Sequence, residues 1–380
     1  MQMPVQTLDA YYQLHLLASY SWVFTQLFLV ASLLLIGSTK FGRSAFLSIS
    51  QKTKKWPLAA ILFFFFTAVF LEIVKATIFH HVIVKKALLE ASQAPSLLGY
   101  LGSQVPSIVA TALLFSILGL ILIYILKRRN SLTWLWLAIA VTAIVSVGLA
   151  ARPFFRDAVP LGNSTVEKEI VGLLHRAGVP ANRIAIEDCS SQSECPPGQV
   201  IGLGPTKLML FDSRLASRTP EDQLLQVAAH EAKHFLIDND LKPIIAVFLL
   251  CSFVFFVAQI LIQLVRRSEG DQAALVQLAL KTYAFGMIAF LLAQPIVTTW
   301  HRGLEVEADR FGLELNRNNQ ALIDIMWADT KQNPIAYKQT PITRYFRATH
   351  PQIKDRIHMA ETYHPWVEGK PLRYGIYFSE

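Results

Sequence analysis

Six stretches of the chain are apolar over nearly the length of a membrane crossing: 22–36, 57–71, 105–126, 132–150, 243–265 and 275–300. A helix needs about 20 mostly apolar residues to cross the hydrocarbon layer, so the two shortest runs must recruit neighbours such as Tyr20, Ser21, Ile73 and Val74. Polar connections at 37–56, 127–131 and 266–274 are short, whereas 152–242 and 301–380 are long enough to fold. The pattern predicts a mainly α, polytopic membrane protein with about six spans. It divides as 1–150 with four spans, 151–242, 243–300 with two spans, and 301–380. Residues 1–20 lack a basic start, and no small-residue cleavage pattern follows the first run, so no secretory signal peptide is expected. The stretch 72–100, with Ile78, Phe79, Val82 and Ile83 among Lys75, Lys85 and Lys86, predicts an amphipathic helix at the interface.

Within 152–242 the pattern is α/β. Asn163 or Ser164 caps a helix through about Arg176, and 183–187, 199–203 and 207–211 read as short strands. Thr219 then caps another helix, with Pro220 in its first position and Glu221 and Asp222 in its first turn, where acids meet free N–H groups. Helical patterns recur near 303–316, 321–329 and 351–363.

Composition agrees with the spans. Of 380 residues 53% are hydrophobic and only 16% charged, against about a quarter charged in soluble domains; mean hydropathy is +0.39. A net charge of +8 raises the question of nucleic acid. The bases instead cluster beside the apolar runs, where headgroups and membrane potential place them, and no nucleic-acid partner is expected. Lys40, Arg43, Lys52, Lys54, Lys55, Lys127, Arg128, Arg129, Arg266 and Arg267 occupy the three short loops, against three bases in 72–104 and none before the first span. The positive-inside rule then puts the N-terminus and both long polar segments outside the cytoplasm, in a bacterial inner or plasma membrane. Cys189 and Cys195, with five residues between them in a polar loop, suit a disulfide in an oxidising compartment, with two reduced thiols as the alternative. Cys251 sits within a span as a small apolar residue.

Chemistry concentrates on the helix after Pro220. His230, Glu231 and His234 form an H-E-x-x-H pattern. Residues four apart share a helix face, so two imidazoles converge on one zinc ion while Glu231 stands within reach of water on the metal. The bland reading is a surface helix with two solvated histidines. A catalytic zinc needs a third protein ligand. Glu305 and Asp309 lie one turn apart downstream, Glu305 as ligand and Asp309 as acceptor for a histidine N–H. On spacing alone His301 and Glu307 compete for the third place, and the acids also fit a solvated face paired with Arg302 and Arg310.

Gly202, Leu203, Gly204, Pro205, Thr206 and Lys207, then Leu210, Phe211 and Asp212, the H-E-x-x-H helix, the run Arg302, Glu305, Ala308 and Asp309, and finally Thr349, His350, Pro351 and Arg356 resemble the membrane-embedded zinc peptidases. That family includes the CAAX prenyl endoproteases and the HtpX heat-shock proteases. The resemblance covers roughly 160–360; residues 1–150 show no motif. It implies a small α+β gluzincin-like module with one catalytic zinc on His230, His234 and Glu305, and Asp309 behind a histidine. By the same resemblance His350 and Arg356 stabilise the tetrahedral intermediate or position substrate. Residues 199–202, Gln199 to Gly202, would be the edge strand on which a peptide or protein substrate is added. Local sequence alone also fits His350 as a cap ahead of Pro351, and Arg356 as part of a solvated face.

The implied activity is hydrolysis of membrane-associated or misfolded proteins beside the lipid bilayer, with Glu231 as general base. The rival from another class is a non-catalytic receptor or scaffold that keeps its zinc for structure or signalling. A transporter is weaker, because the six runs carry few ionisable groups. Oligomeric state and cleavage specificity are not legible.

Overall fold

The computed structural model describes residues 5–80, 96–127, 132–161, 164–187, 197–213, 219–238, 240–265 and 271–378. Cys189, Cys195 and residues 81–95 of the expected interfacial helix lie outside these. In chain order the helices begin with α1 (Val5–Ser38), α2 (Lys40–Thr53), α3 (Trp56–Phe79), α4 (Leu97–Lys127) and α5 (Thr133–Ala151). Strand β1 (Ala158–Pro160), α6 (Thr165–Arg176), β2 (Ile184–Glu187), β3 (Gly198–Ile201), β4 (Leu208–Asp212) and α7 (Glu221–Leu236) follow. After α8 (Leu241–Val265) comes α9 (Gln272–Asn316), then α10 (Asn319–Gln332), α11 (Pro334–Tyr337), α12 (Pro341–Phe346) and α13 (Ile353–Thr362).

Among the described residues five helices, α1, α3, α4, α5 and α9, are long and apolar enough to cross a membrane. The pair α7 and α8, bent by 61°, passes the same test together and makes a sixth where the two count as one broken span. The protein is a mainly α, multi-pass membrane protein with a small sheet.

Two compact units result, one of residues 13–141 and 247–294, the other of 1–12, 142–246 and 295–380. The first is built on helices with small and aromatic contacts: Ala59, Ala60, Phe63 and Phe64 bury with Ile123, Ala279, Leu280 and Ala284. A Cβ at Gly119 would lie 2.5 Å from the Phe64 ring, so α4 can approach α3 only with glycine there.

The second unit holds a four-stranded sheet in the order β1-β2-β4-β3, with β2 and β4 parallel and the other pairs antiparallel. Strand β3 is therefore an edge. The apolar face of α7, with Leu224, Ala228, Ala229 and Ala232, packs with Met209 and Phe211 of β4 and with Phe311 and Leu315 of α9. Ser164 starts α6 through a capping box, accepting from the Glu167 N–H at 3.3 Å while its own N–H donates to Glu167 at 3.0 Å.

Several expectations change. Thr219 is not the cap of α7: Pro220 is, and its carbonyl accepts from the Gln223 and Leu224 amides, because the extended proline already sets the turn. Residues 72–79 do not lie along the interface but continue α3; Glu72 and Lys75 pair one turn apart, which reduces the cost of keeping both charges on a span. The first short loop contains α2, and β1 escapes the strand pattern because it has only three residues. Gly202 falls outside the edge strand, which ends at Ile201. Its φ is +93°, and a Cβ there would meet the Thr206 carbonyl oxygen at 2.4 Å. Finally, the sixth apolar run and the helix near 303–316 are one helix of 45 residues, α9, apolar through Trp300 and polar beyond it.

Candidate metal centre

Helix α7 presents His230 and His234 one turn apart, and the polar half of α9 presents Glu305 toward them. The two Nε2 atoms lie 3.3 Å apart. Glu305 approaches His230 Nε2 at 3.3 Å and His234 Nε2 at 3.5 Å. These side chains offer donor atoms all within 4.8 Å of one another.

Each histidine has an acceptor behind it. His230 Nδ1 lies 2.9 Å from Asp309 Oδ1, and His234 Nδ1 lies 2.6 Å from Asp238 Oδ2. With the ring protons on Nδ1, both Nε2 lone pairs point at a common centre, the arrangement that carboxylates impose on metal-ligating histidines. Glu305 Oε2 is buried there without a hydrogen bond. Three acceptors facing one another repel unless a cation lies between them. A tetrahedral ion about 2.1 Å from each donor would set the donors about 3.4 Å apart, which is the spacing found, so the donor set fits a metal such as zinc.

The electrostatics are those of a tight acid–base cluster. Burial opposes ionisation of Glu305, yet the neighbouring histidines hold its carboxyl down to about 2. Burial likewise opposes charge on His230, but with no cation among the donors Asp309 and Glu305 outweigh it and push the ring up to about 10. Asp309 is wholly buried. Arg356 grips it with Nε at 2.7 Å and Nη2 at 2.6 Å, keeping its carboxyl well below the usual range despite burial. Arg356 is thus a largely covered, ion-paired residue and not part of a solvated face.

Glu231 stands beside this cluster, and burial raises its carboxyl above the ordinary range. Strand β3 runs past it. The Val200 backbone opposes that rise, and a Cβ at Gly198 would lie 3.1 Å from Glu231 Cγ and 2.9 Å from Val227. His350 reaches Glu305 at 3.3 Å with 60% of its side chain exposed. It does not cap α13, whose cap residue is Gln352. All seven expected residues, His230, Glu231, His234, Glu305, Asp309, His350 and Arg356, therefore come together.

The competitors lie elsewhere. Glu307, about 200° round the helix from Glu305, pairs with Arg310 and Arg373 and accepts from Tyr374. His301 lines a separate cavity with Lys242 and Trp300. Arg302 does not pair with the acids; it donates to the carbonyls of Arg344 and Ala348, anchoring the loop that carries His350.

Sequence reasoning missed three supports. Asp238, four residues after His234, also accepts from Lys233 Nζ at 2.5 Å, and that buried lysine donates to the Leu304 carbonyl at 2.9 Å. Lys207 donates to the carbonyls of His234, Phe235 and Asp238, closing the end of α7. A Cβ at Gly312 would sit 3.1 Å from the His230 nitrogen, so α9 presses its backbone on α7 there. The spacing of Asp238 was a usable signal; the others depend on tertiary packing.

A cavity of about 520 Å³ opens beside the cluster, lined by His230, Glu231 and His350 and by residues of α10.

Comparison with known proteins gives this arrangement its context. The model of Peptidase family M48 matches residues 160–364. The uncharacterized metalloprotease YhfN of Bacillus subtilis (strain 168) is 26% identical over 337 residues, covering 82% of this chain and 78% of that protein. A CAAX prenyl protease 1 homolog of Oryza sativa subsp. japonica is 23% identical over 243 residues, 60% of this chain and 55% of that one. In fold the chain is similar to the crystal structure of S. mikatae Ste24p, with a TM-score of 0.55 at 16% identity over 91% of this chain and 98% of the other. That likeness extends into the N-terminal spans, where no sequence motif is visible. Because the family model takes in more than half of its length, the chain belongs to peptidase family M48 and is a multi-pass membrane metalloprotease.

Proposed function

We propose that the protein is a zinc endopeptidase that cleaves membrane-associated or unfolded proteins near the bilayer surface, using segments 151–242 and 301–380 as its catalytic module. The observation that carries this reading is the convergence of His230, His234 and Glu305 with an unligated carboxylate, Glu231, beside them and a cavity in front. When bound by those three side chains, zinc supplies a Lewis acid for the scissile carbonyl and lowers the pKa of water.

The chain's own residues do the rest. Glu231 takes the water proton on its carboxylate and hands it to the departing amide nitrogen. His350, the most exposed member of the cluster, donates an N–H to the oxyanion. Asp309, held by Arg356, and Asp238, held by Lys233, keep both imidazoles in the orientation that offers Nε2. The substrate backbone adds to the open edge of β3, which passes Glu231. The loop charges favour an extracytoplasmic module. An impermeant thiol reagent applied to intact cells checks the side: after reduction Cys189 and Cys195 should label, and labelling only after lysis would reverse the orientation.

Metal removal tests the zinc. Dialysis against a chelator is expected to abolish cleavage of an unfolded model protein, and one equivalent of zinc to restore it; cleavage that survives complete removal would sink the reading. Asp238→Asn should weaken zinc binding about 10- to 100-fold, read by competition with a chelating dye. Unchanged affinity would mean that Asp238 does not orient His234.

A further inference from the structure

The cavity in front of Glu231 has a wall of its own. Leu322, Ile325, Met326 and Asp329 recur along α10 at helical spacing and all face it. Ala336 and Ile353 add further apolar surface. Leu322, Met326 and Ile353 belong to one packed cluster, so this wall is rigid.

Asp329 stands out in that wall. It is exposed, and no hydrogen bond or ion pair reaches its carboxylate among the described residues. Arg356 lines the same cavity and attracts Asp329, but its Nε and Nη2 are committed to Asp309. A substrate that fills the cavity displaces the water around Asp329. Stripping an unpaired carboxylate of water is costly unless the incoming group brings a positive charge. Arg347, also on the cavity, would repel such a group, but it already has a partner of its own.

Resting on the protease reading, we infer that Asp329 selects substrates with a Lys or Arg side chain close to the scissile bond. The aliphatic stem lies along Ile325 and Ala336, over the packed Leu322 and Met326, and the charged end meets the Asp329 carboxylate.

The test uses the full chain, zinc-loaded, with Glu231→Gln so that peptides bind without turnover. Fluorescent peptides of one sequence carry Lys, Gln or Glu at a single position moved along the peptide, and affinity is read by anisotropy. At the best position the Lys peptide is expected to bind about tenfold more tightly than the Gln peptide. Adding Asp329→Asn, close in shape, should remove the preference, and adding Asp329→Lys should transfer it to the Glu peptide. Equal binding of Lys and Gln peptides at every position, no binding at all, or a preference for Glu with Asp329 intact would overturn the inference. The protease reading fails separately, if wild-type protein with zinc cleaves none of the peptides that bind.

Discussion

Glu231→Gln is expected to lower kcat for cleavage of an unfolded protein by about a thousandfold while zinc content stays at the wild-type level. Glutamine keeps the volume that stands against Gly198 and retains one carbonyl oxygen on the side of the Val200 backbone. What it loses is the capacity to hold a proton. The proposed ligands His230, His234 and Glu305 are untouched, which is why metal content and rate should separate. Loss of zinc together with activity would mean that Glu231 belongs to the ligand set. A variant retaining a tenth or more of the activity would remove it as the base. A receptor or scaffold has no use for such a residue, so a wild type that binds zinc yet cleaves no substrate would favour that rival.

Arg356→Met should destabilise the protein by about 3–5 kcal/mol, measured from denaturant unfolding in detergent. Asp309 is fully buried and meets two guanidinium nitrogens besides His230. Removing the cation strands a carboxylate in the interior, and that penalty exceeds the attraction the pair contributes. Arg356→Met combined with Asp309→Leu should therefore recover much of the stability, since the uncompensated charge goes with its partner. Zinc affinity should stay low in the double variant, because His230 has lost its acceptor. A single variant that unfolds within about 0.5 kcal/mol of wild type would show that Asp309 finds another way to be neutralised.

Much of this was legible from residue order. The apolar runs located the crossing helices because lipid demands length, and length survives any uncertainty about ends. The histidine pair declared itself because a four-residue spacing has a direct meaning on a helix. The proposed third ligand was harder: Glu305, Glu307 and His301 all offer suitable donors, and only the phase of α9 brings Glu305 to the histidines. That phase was hidden because sequence polarity changes at Trp300 and suggests a boundary where the helix in fact continues. Gly198 and Gly312 were unreadable for another reason. Their contribution is a missing side chain, and what would have been displaced comes from elements distant in sequence. Lys233, a variable position of the motif by its pattern, is 2% exposed and spans from Asp238 to the Leu304 carbonyl.

The unbroken course of α9 also fixes a distance. From Trp300, where its apolar part ends, to Glu305 is five residues, or about 7.5 Å of helix rise. The headgroup layer on each side of a bilayer is of similar thickness, about 5–7 Å. On the proposed reading, with Trp300 at the hydrocarbon boundary, the metal centre would lie near the outer edge of the headgroup layer. A tethered chain would reach it by paying out only a few residues beyond its own apolar anchor. The helix would act as a ruler for how far from the membrane a bond is cut.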